Sequence, residues 1–92
     1  MNVLREVLNR GHFRIIDVRT PAEFMGGHVA GSTNIPLNEL VDRLDELKGG
    51  KHIIVCCASG GRSAQAALWL TTNGVTCTDG GPWTNVNNQL NF

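Results

Sequence analysis

An α/β fold is predicted for this chain, a small parallel sheet with helices on both faces. Three observations carry that reading. Apolar β-branched runs alternate with segments of helical spacing along the chain. Glycine or proline marks most of the junctions between them. The length of 92 residues suits one small core and leaves no room for a second, so residues 1–92 read as a single domain.

The elements follow in order. Leu4, Val7 and Leu8 share a helical stripe, so residues 3–10 form a short amphipathic helix closed by Gly11. Residues 13–18, Phe-Arg-Ile-Ile-Asp-Val, form a buried strand. Thr20, Pro21 and Glu23 then give three helix-start signals: an N-cap, a first-turn proline and the far half of a capping box. Gly26 and Gly27 stop that helix early. Residues 32–35 form a very short strand ended by Pro36. Asn38 caps a helix whose buried face carries Leu40, Val41, Leu44 and Leu47, and Gly49 and Gly50 end it. Residues 52–56 are the most apolar strand and are placed centrally. Residues 63–73 form a helix with Ala64, Ala67, Leu68 and Thr71 inward, and Gly74 stands where a left-handed cap belongs. Residues 75–78 are the last strand. Beyond Gly80, Trp83, Val86 and Leu90 mark a final turn or helix.

Composition narrows the function classes. Apolar residues make up 41%, which excludes disordered, collagenous and coiled-coil chains. The 8 Lys and Arg balance the 8 Asp and Glu, so neither nucleic acid nor an anionic membrane surface is an expected partner. The longest apolar run, Ile53 to Ala58, is too short to span a bilayer. Residues 1–6 carry an acid and no apolar stretch, which argues against a signal peptide. Three cysteines, two of them adjacent, make a poor disulfide framework. A reducing, cytoplasmic setting is expected.

Open parallel sheets place their sites beyond the carboxyl ends of the strands. The strand end richest in chemistry is Cys56-Cys57-Ala58-Ser59-Gly60-Gly61-Arg62-Ser63. A thiol leads, a glycine-rich loop follows, and an arginine opens a helix. Gly60 and Gly61 allow turns in which the N–H groups of residues 58–62 converge as an anion-binding nest. The helix N-terminus adds positive potential. A thiol there ionises more readily, and the thiolate is the nucleophile. The loop lacks the Lys-Ser/Thr ending of a nucleotide-binding loop. The adjacent cysteines lack the spacing of a zinc or thioredoxin motif, and no metal or cofactor is expected.

Residues 17–24 (Asp-Val-Arg-Thr-Pro-Ala-Glu-Phe), 27–32 (Gly-His-Val-Ala-Gly-Ser) and 34–37 (Asn-Ile-Pro-Leu) closely resemble the signature of the rhodanese-like domain. Residues 57–63 resemble that family's active-site loop, and Gly80-Gly81 followed by Trp83 resembles its closing element. The resemblance runs from about residue 3 to Trp83. It implies a single-domain sulfurtransferase in which Cys57 takes a sulfane sulfur from thiosulfate or a persulfide. Cys57 then holds it as a persulfide and passes it to a thiol or cyanide. The partners implied are a small sulfur donor and a thiol acceptor, with a protein persulfide as a further donor, and a monomer. Members begin with an extra strand, so the sheet is expected to hold four to five strands.

Cys57 is the expected catalytic residue. Ala58, Ser59, Gly60, Gly61 and Arg62 are expected to bind substrate as the active-site loop. Arg62 either meets an anionic donor or ties the loop together. Asp17, Arg19, Glu23 and His28 are assigned structural support, with Arg19 pairing to Glu23 and Asp17 holding backbone or arginine groups. Trp83 is expected to cover the core, and Cys77 to be a buried strand residue. Two rivals stand beside this reading. Counted from Cys56, the loop fits the Cys-x5-Arg-Ser/Thr pattern of cysteine phosphatases and arsenate reductases on the same fold. Against it, no histidine precedes Cys56 and no acid lies in the loop. The second rival is a non-catalytic persulfide carrier or regulatory module.

Overall fold

The computed structural model describes residues 3–91; Met1, Asn2 and Phe92, which the sequence reading includes, lie outside the described residues. The elements are α1 (Val3–Arg10), β1 (Phe13–Asp17), α2 (Pro21–Met25), β2 (Thr33–Asn34), β3 (His52–Cys57), α3 (Gly61–Thr72), β4 (Cys77–Pro82) and α4 (Trp83–Leu90). Among the described residues the sheet has four strands, in the order β2-β1-β3-β4, and every pairing is parallel. The lower end of the expected four to five is therefore the one found. The apolar strand β3 lies inside the sheet, as expected.

The sheet is covered on both faces because its side chains alternate. Ile15, Ile54 and Cys56 face one side and pack with Leu4 and Val7 of α1 and Val86 of α4. Ile16, Ile53, Val55 and Cys57 face the other and pack with Leu40, Leu47 and the α3 residues Ala66 and Leu70. The adjacent cysteines thus lie on opposite faces. The capping box of α2 is complete: the Thr20 side chain accepts from the Glu23 N–H, and the Glu23 carboxylate accepts from the Thr20 N–H. Helix α3 ends in the expected left-handed glycine, with Gly74 at φ +85. Its N–H donates to Thr71 and that of Val75 to Leu70, closing the last turn.

Three expectations are corrected. The helix from Asn38 is instead two 3₁₀ segments, Leu37–Glu39 and Leu44–Leu47. Leu37/Leu40 and Leu44/Leu47 repeat every three residues, which matches the tighter period, and Val41 falls outside it at 67% exposure. In α3 the buried residues are Ser63, Ala66 and Leu70, while Leu68 is 72% exposed. Ser63, Ala66 and Leu70 form the inward face, with Ser63 against Cys57, and Trp69 packs partly buried beside them. Strand β4 starts at Cys77 and runs through Gly80 and Gly81 to Pro82. A Cβ on Gly80 would stand 2.6 Å from Val86 Cγ2 and 3.0 Å from the Val55 carbonyl, so glycine is what lets α4 close on the sheet there. A register irregularity lies opposite, between Val55 and Cys57.

Candidate active site

The chemistry gathers at the carboxyl ends of β1 and β3. Strand β3 delivers Cys57 to the carboxyl end of the sheet, on the α3 face. Residues 58–60 then turn the chain, with Gly60 at φ +108, into the first turn of α3. The turn wraps around the sulfur. The Gly60 N–H lies 3.0 Å from Cys57 Sγ and the Ser63 N–H 3.3 Å away, and the Ser63 hydroxyl oxygen is at 3.4 Å. Ser63 is fully buried, and its hydroxyl also donates to the Gly60 carbonyl at 3.1 Å.

These donors decide the thiol's acidity. Burial pushes the Cys57 thiol up, but the Ser63 hydroxyl and the N–H groups of Ser63, Gly60 and Ser59 outweigh it, leaving the thiol below its ordinary value. Cys56 shows the reverse. It packs on the opposite face, and burial, followed by the charge of Asp17, pushes its thiol up to about 12. A nucleophile in the phosphatase register would have to be that high-pKa thiol, facing away from the loop. Cys77 is half-buried, more open than expected, and burial followed by the Asp79 charge raises it to about 12 as well.

The supporting residues are placed by β1. Asp17 is fully buried and Arg19 is 5% exposed. Arg19 Nε donates to both Asp17 oxygens at 3.0 Å and Nη2 donates to Oδ2 at 2.8 Å. Its other contacts are the Gly27 carbonyl, at 2.7 Å, and the Trp83 ring, whose centroid lies 5.1 Å from the guanidinium carbon. Asn34 donates to the carbonyls of Asp17 and Arg19, holding the strand end in place. His28 Nδ1 lies 2.7 Å from the Phe24 carbonyl, and its ring stacks on Phe24 at 3.6 Å.

The expected pairing of Arg19 with Glu23 is not what forms. Arg19 turns inward to Asp17, and Glu23 takes Arg62 instead, with Nη1–Oε1 at 2.7 Å and Nη2–Oε2 at 2.9 Å. The Arg62 fork, aided by the Thr20 N–H, holds the Glu23 carboxyl at about 2. Arg62 therefore ties the loop to α2, one of the two roles open to it, which can hold together. Ala58 and Ser59 are exposed at the loop's rim, and Gly61 opens α3. The cradle also closes one residue later than the spacing suggested, because Ser63 supplies both an N–H and a hydroxyl. Sequence reasoning placed Ser63 in the loop but gave it no role; the available signal was its place in the first turn of a helix that begins at the loop.

Among the described residues, no group of His, Cys, Asp and Glu is arranged to hold a metal ion. No helix among them is long and apolar enough to cross a membrane.

A family model described as "Rhodanese-like domain" matches residues 1–84. The chain is 42% identical over 79 residues to the uncharacterized protein YqhL of Bacillus subtilis, covering 83% of this chain and 63% of that protein. It thus spans less than two thirds of that relative. It is 36% identical over 88 residues to thiosulfate sulfurtransferase 16, chloroplastic, of Arabidopsis thaliana, covering 83% of this chain and 72% of that one. A rhodanese-related protein of Thermoplasma volcanium has a similar crystal structure, with TM-score 0.78 and 33% identity, covering 89% of this chain and 82% of that one.

Proposed function

This chain belongs to the rhodanese-like domain family, and we propose that within it the chain acts as a sulfurtransferase with Cys57 as the nucleophile. One observation carries the reading: the Cys57 sulfur lies at the focus of the Ser59, Gly60 and Ser63 donors, which lower its thiol pKa. The cradle fits a single sulfur anion and holds it, fully buried, at the carboxyl end of the strand.

The reaction is two thiol–disulfide-type exchanges. In the first, the Cys57 thiolate attacks the sulfane sulfur of the donor. With thiosulfate, the S–S bond to the sulfonate breaks and sulfite leaves with the bonding pair. A persulfide, Cys57–S–S⁻, remains. In the second, an acceptor thiolate or cyanide attacks the outer sulfur, and the Cys57 thiolate leaves as a stabilised anion. The cradle serves both steps, since the same N–H groups favour Cys57 as attacking and as leaving sulfur. Ser63 switches with the charge: its hydroxyl accepts from the S–H in the thiol form and donates to the thiolate. Arg62 and Glu23 fix the loop against α2. Asp17, Arg19 and Trp83 hold the neighbouring strand end.

The test is a mass measurement. Reduced protein incubated with thiosulfate or cysteine persulfide is expected to gain about 32 Da, one sulfur, mapped to Cys57 and removed by cyanide. Cys56→Ser is expected to load normally and Cys57→Ser to lose loading. A persulfide mapped to Cys56, or aryl phosphate hydrolysis that survives Cys57→Ser, would overturn the reading.

A further inference from the structure

We propose that this site takes its sulfur from a thiol-borne persulfide in preference to a dianion such as thiosulfate, and that Glu23 sets the preference. The proposal rests on the sulfurtransferase reading and names the donor class for that same site.

Charge sets the preference. Arg62 is the only basic residue between Cys57 and Ser63. Both of its terminal nitrogens are spent on the two oxygens of one carboxylate, at 2.7 and 2.9 Å. The other guanidinium at this end of the sheet, Arg19, is turned onto the buried Asp17. The N–H donors of the loop point at the Cys57 sulfur itself. An incoming dianion therefore meets a thiolate that already occupies the Gly60 and Ser63 N–H donors, and two paired guanidiniums; among the described residues no uncompensated side-chain cation stands at this end of the sheet to offset like-charge repulsion. A persulfide brings at most one charge on the reacting sulfur, and it can arrive protonated. The step then balances without a cation. The Cys57 thiolate attacks the outer sulfur of R–S–SH, the donor's S–S bond breaks, and R–S⁻ leaves with the bonding pair. Cys57–S–SH keeps the transferred sulfur and its proton.

The low charge of the rim is not forced by the backbone. Gly61 lies outside the left-handed region, and a Cβ built on it meets nothing within 4 Å. A lysine fits there and would place a free cation beside the loop. Two variants thus add net positive charge from different directions. Glu23→Gln releases Arg62 from its counter-charge while keeping an oxygen for the Thr20 N–H, and Gly61→Lys leaves the Glu23–Arg62 pair intact.

The experiment measures second-order rate constants for persulfide formation on Cys57, by mass, with thiosulfate and with cysteine persulfide. Wild type is expected to load faster from cysteine persulfide. In each variant the ratio of the two constants is expected to move about fivefold or more towards thiosulfate, and the gain should shrink as salt is raised. If Cys57 loads from both donors but neither variant moves the ratio, the donor proposal fails and the sulfurtransferase reading stands. If Cys57 loads from neither donor, both fail. Should Glu23→Gln not fold, Gly61→Lys decides alone.

Discussion

Replacing Ser63 by alanine isolates the hydroxyl's share in the acidity of Cys57. The substitution is clean. The Ser63 N–H, 3.3 Å from the sulfur, is retained. The Gly60 carbonyl, which loses the hydroxyl, still accepts from the Ala64 N–H at 3.0 Å. The stability cost is therefore expected to stay near 1 kcal/mol or below. A hydrogen bond to a charged group contributes about 1.5–3 kcal/mol. In the thiol form Sγ donates to the Ser63 hydroxyl at 3.4 Å, and the hydroxyl has to turn from the Gly60 carbonyl to donate to the thiolate, so the lower end applies. Loss of that bond raises the Cys57 pKa and lowers the thiolate population about tenfold. The assay is the rate of alkylation by iodoacetamide against pH, followed at Cys57 by mass. Cys56 and Cys77, both pushed up to about 12, stay protonated through the range and do not interfere. Where the thiol is mostly protonated, that loss is partly offset, because the more basic thiolate regains about threefold in reactivity. Persulfide loading is thus expected to slow about threefold. A midpoint within about 0.3 units of wild type would refute the claim that Ser63 lowers the Cys57 pKa.

Two further outcomes are expected. Gly80→Ala forces a Cβ to 2.6 Å from Val86 and should cost about 1–3 kcal/mol in denaturant unfolding, while Gly61→Ala, with open space and a helical backbone, should leave stability unchanged or raise it by up to about 1 kcal/mol. Glu23 is held at about 2 against an ordinary 4.5, so its contribution is fully present above pH 4.5 and disappears as pH falls through 2. The melting temperature of wild type should accordingly drop more steeply across that window than that of Glu23→Gln; parallel curves would remove the Arg62 pairing as a source of stability.

Much of the fold was legible because local signals agreed with the global arrangement. The run Ile53–Ile54–Val55 has little alternative to a buried strand. Thr20, Pro21 and Glu23 fix a helix start wherever they occur together. The loop after Cys57 was legible as chemistry for a similar reason, since a thiol, two glycines and a helix start converge there. What was not legible depended on contacts distant in sequence. Glu23 has Arg19 and Arg62 within reach, and the choice is made by Asp17, which is buried and needs a cation of its own. The inward face of α3 is Ser63, Ala66 and Leu70, with Ser63 against Cys57, one residue round from the stripe that Ala64, Ala67 and Leu68 suggest. The 3₁₀ segments hide inside a leucine pattern that serves a three-residue period as well as a longer one.

The tight seat between Gly80 and Val86 bears on where this unit can be cut. The family match ends at residue 84, yet Val86 is fully buried and packs with Leu4 and Val7. A fragment trimmed to that boundary would keep Trp83 but lose the side chain that fills the space left by Gly80. It would also uncover the sheet face on which Ile15, Ile54 and Cys56 lie, giving Cys56 a route to solvent. Fragments for expression should therefore run at least through Leu90, the end of α4.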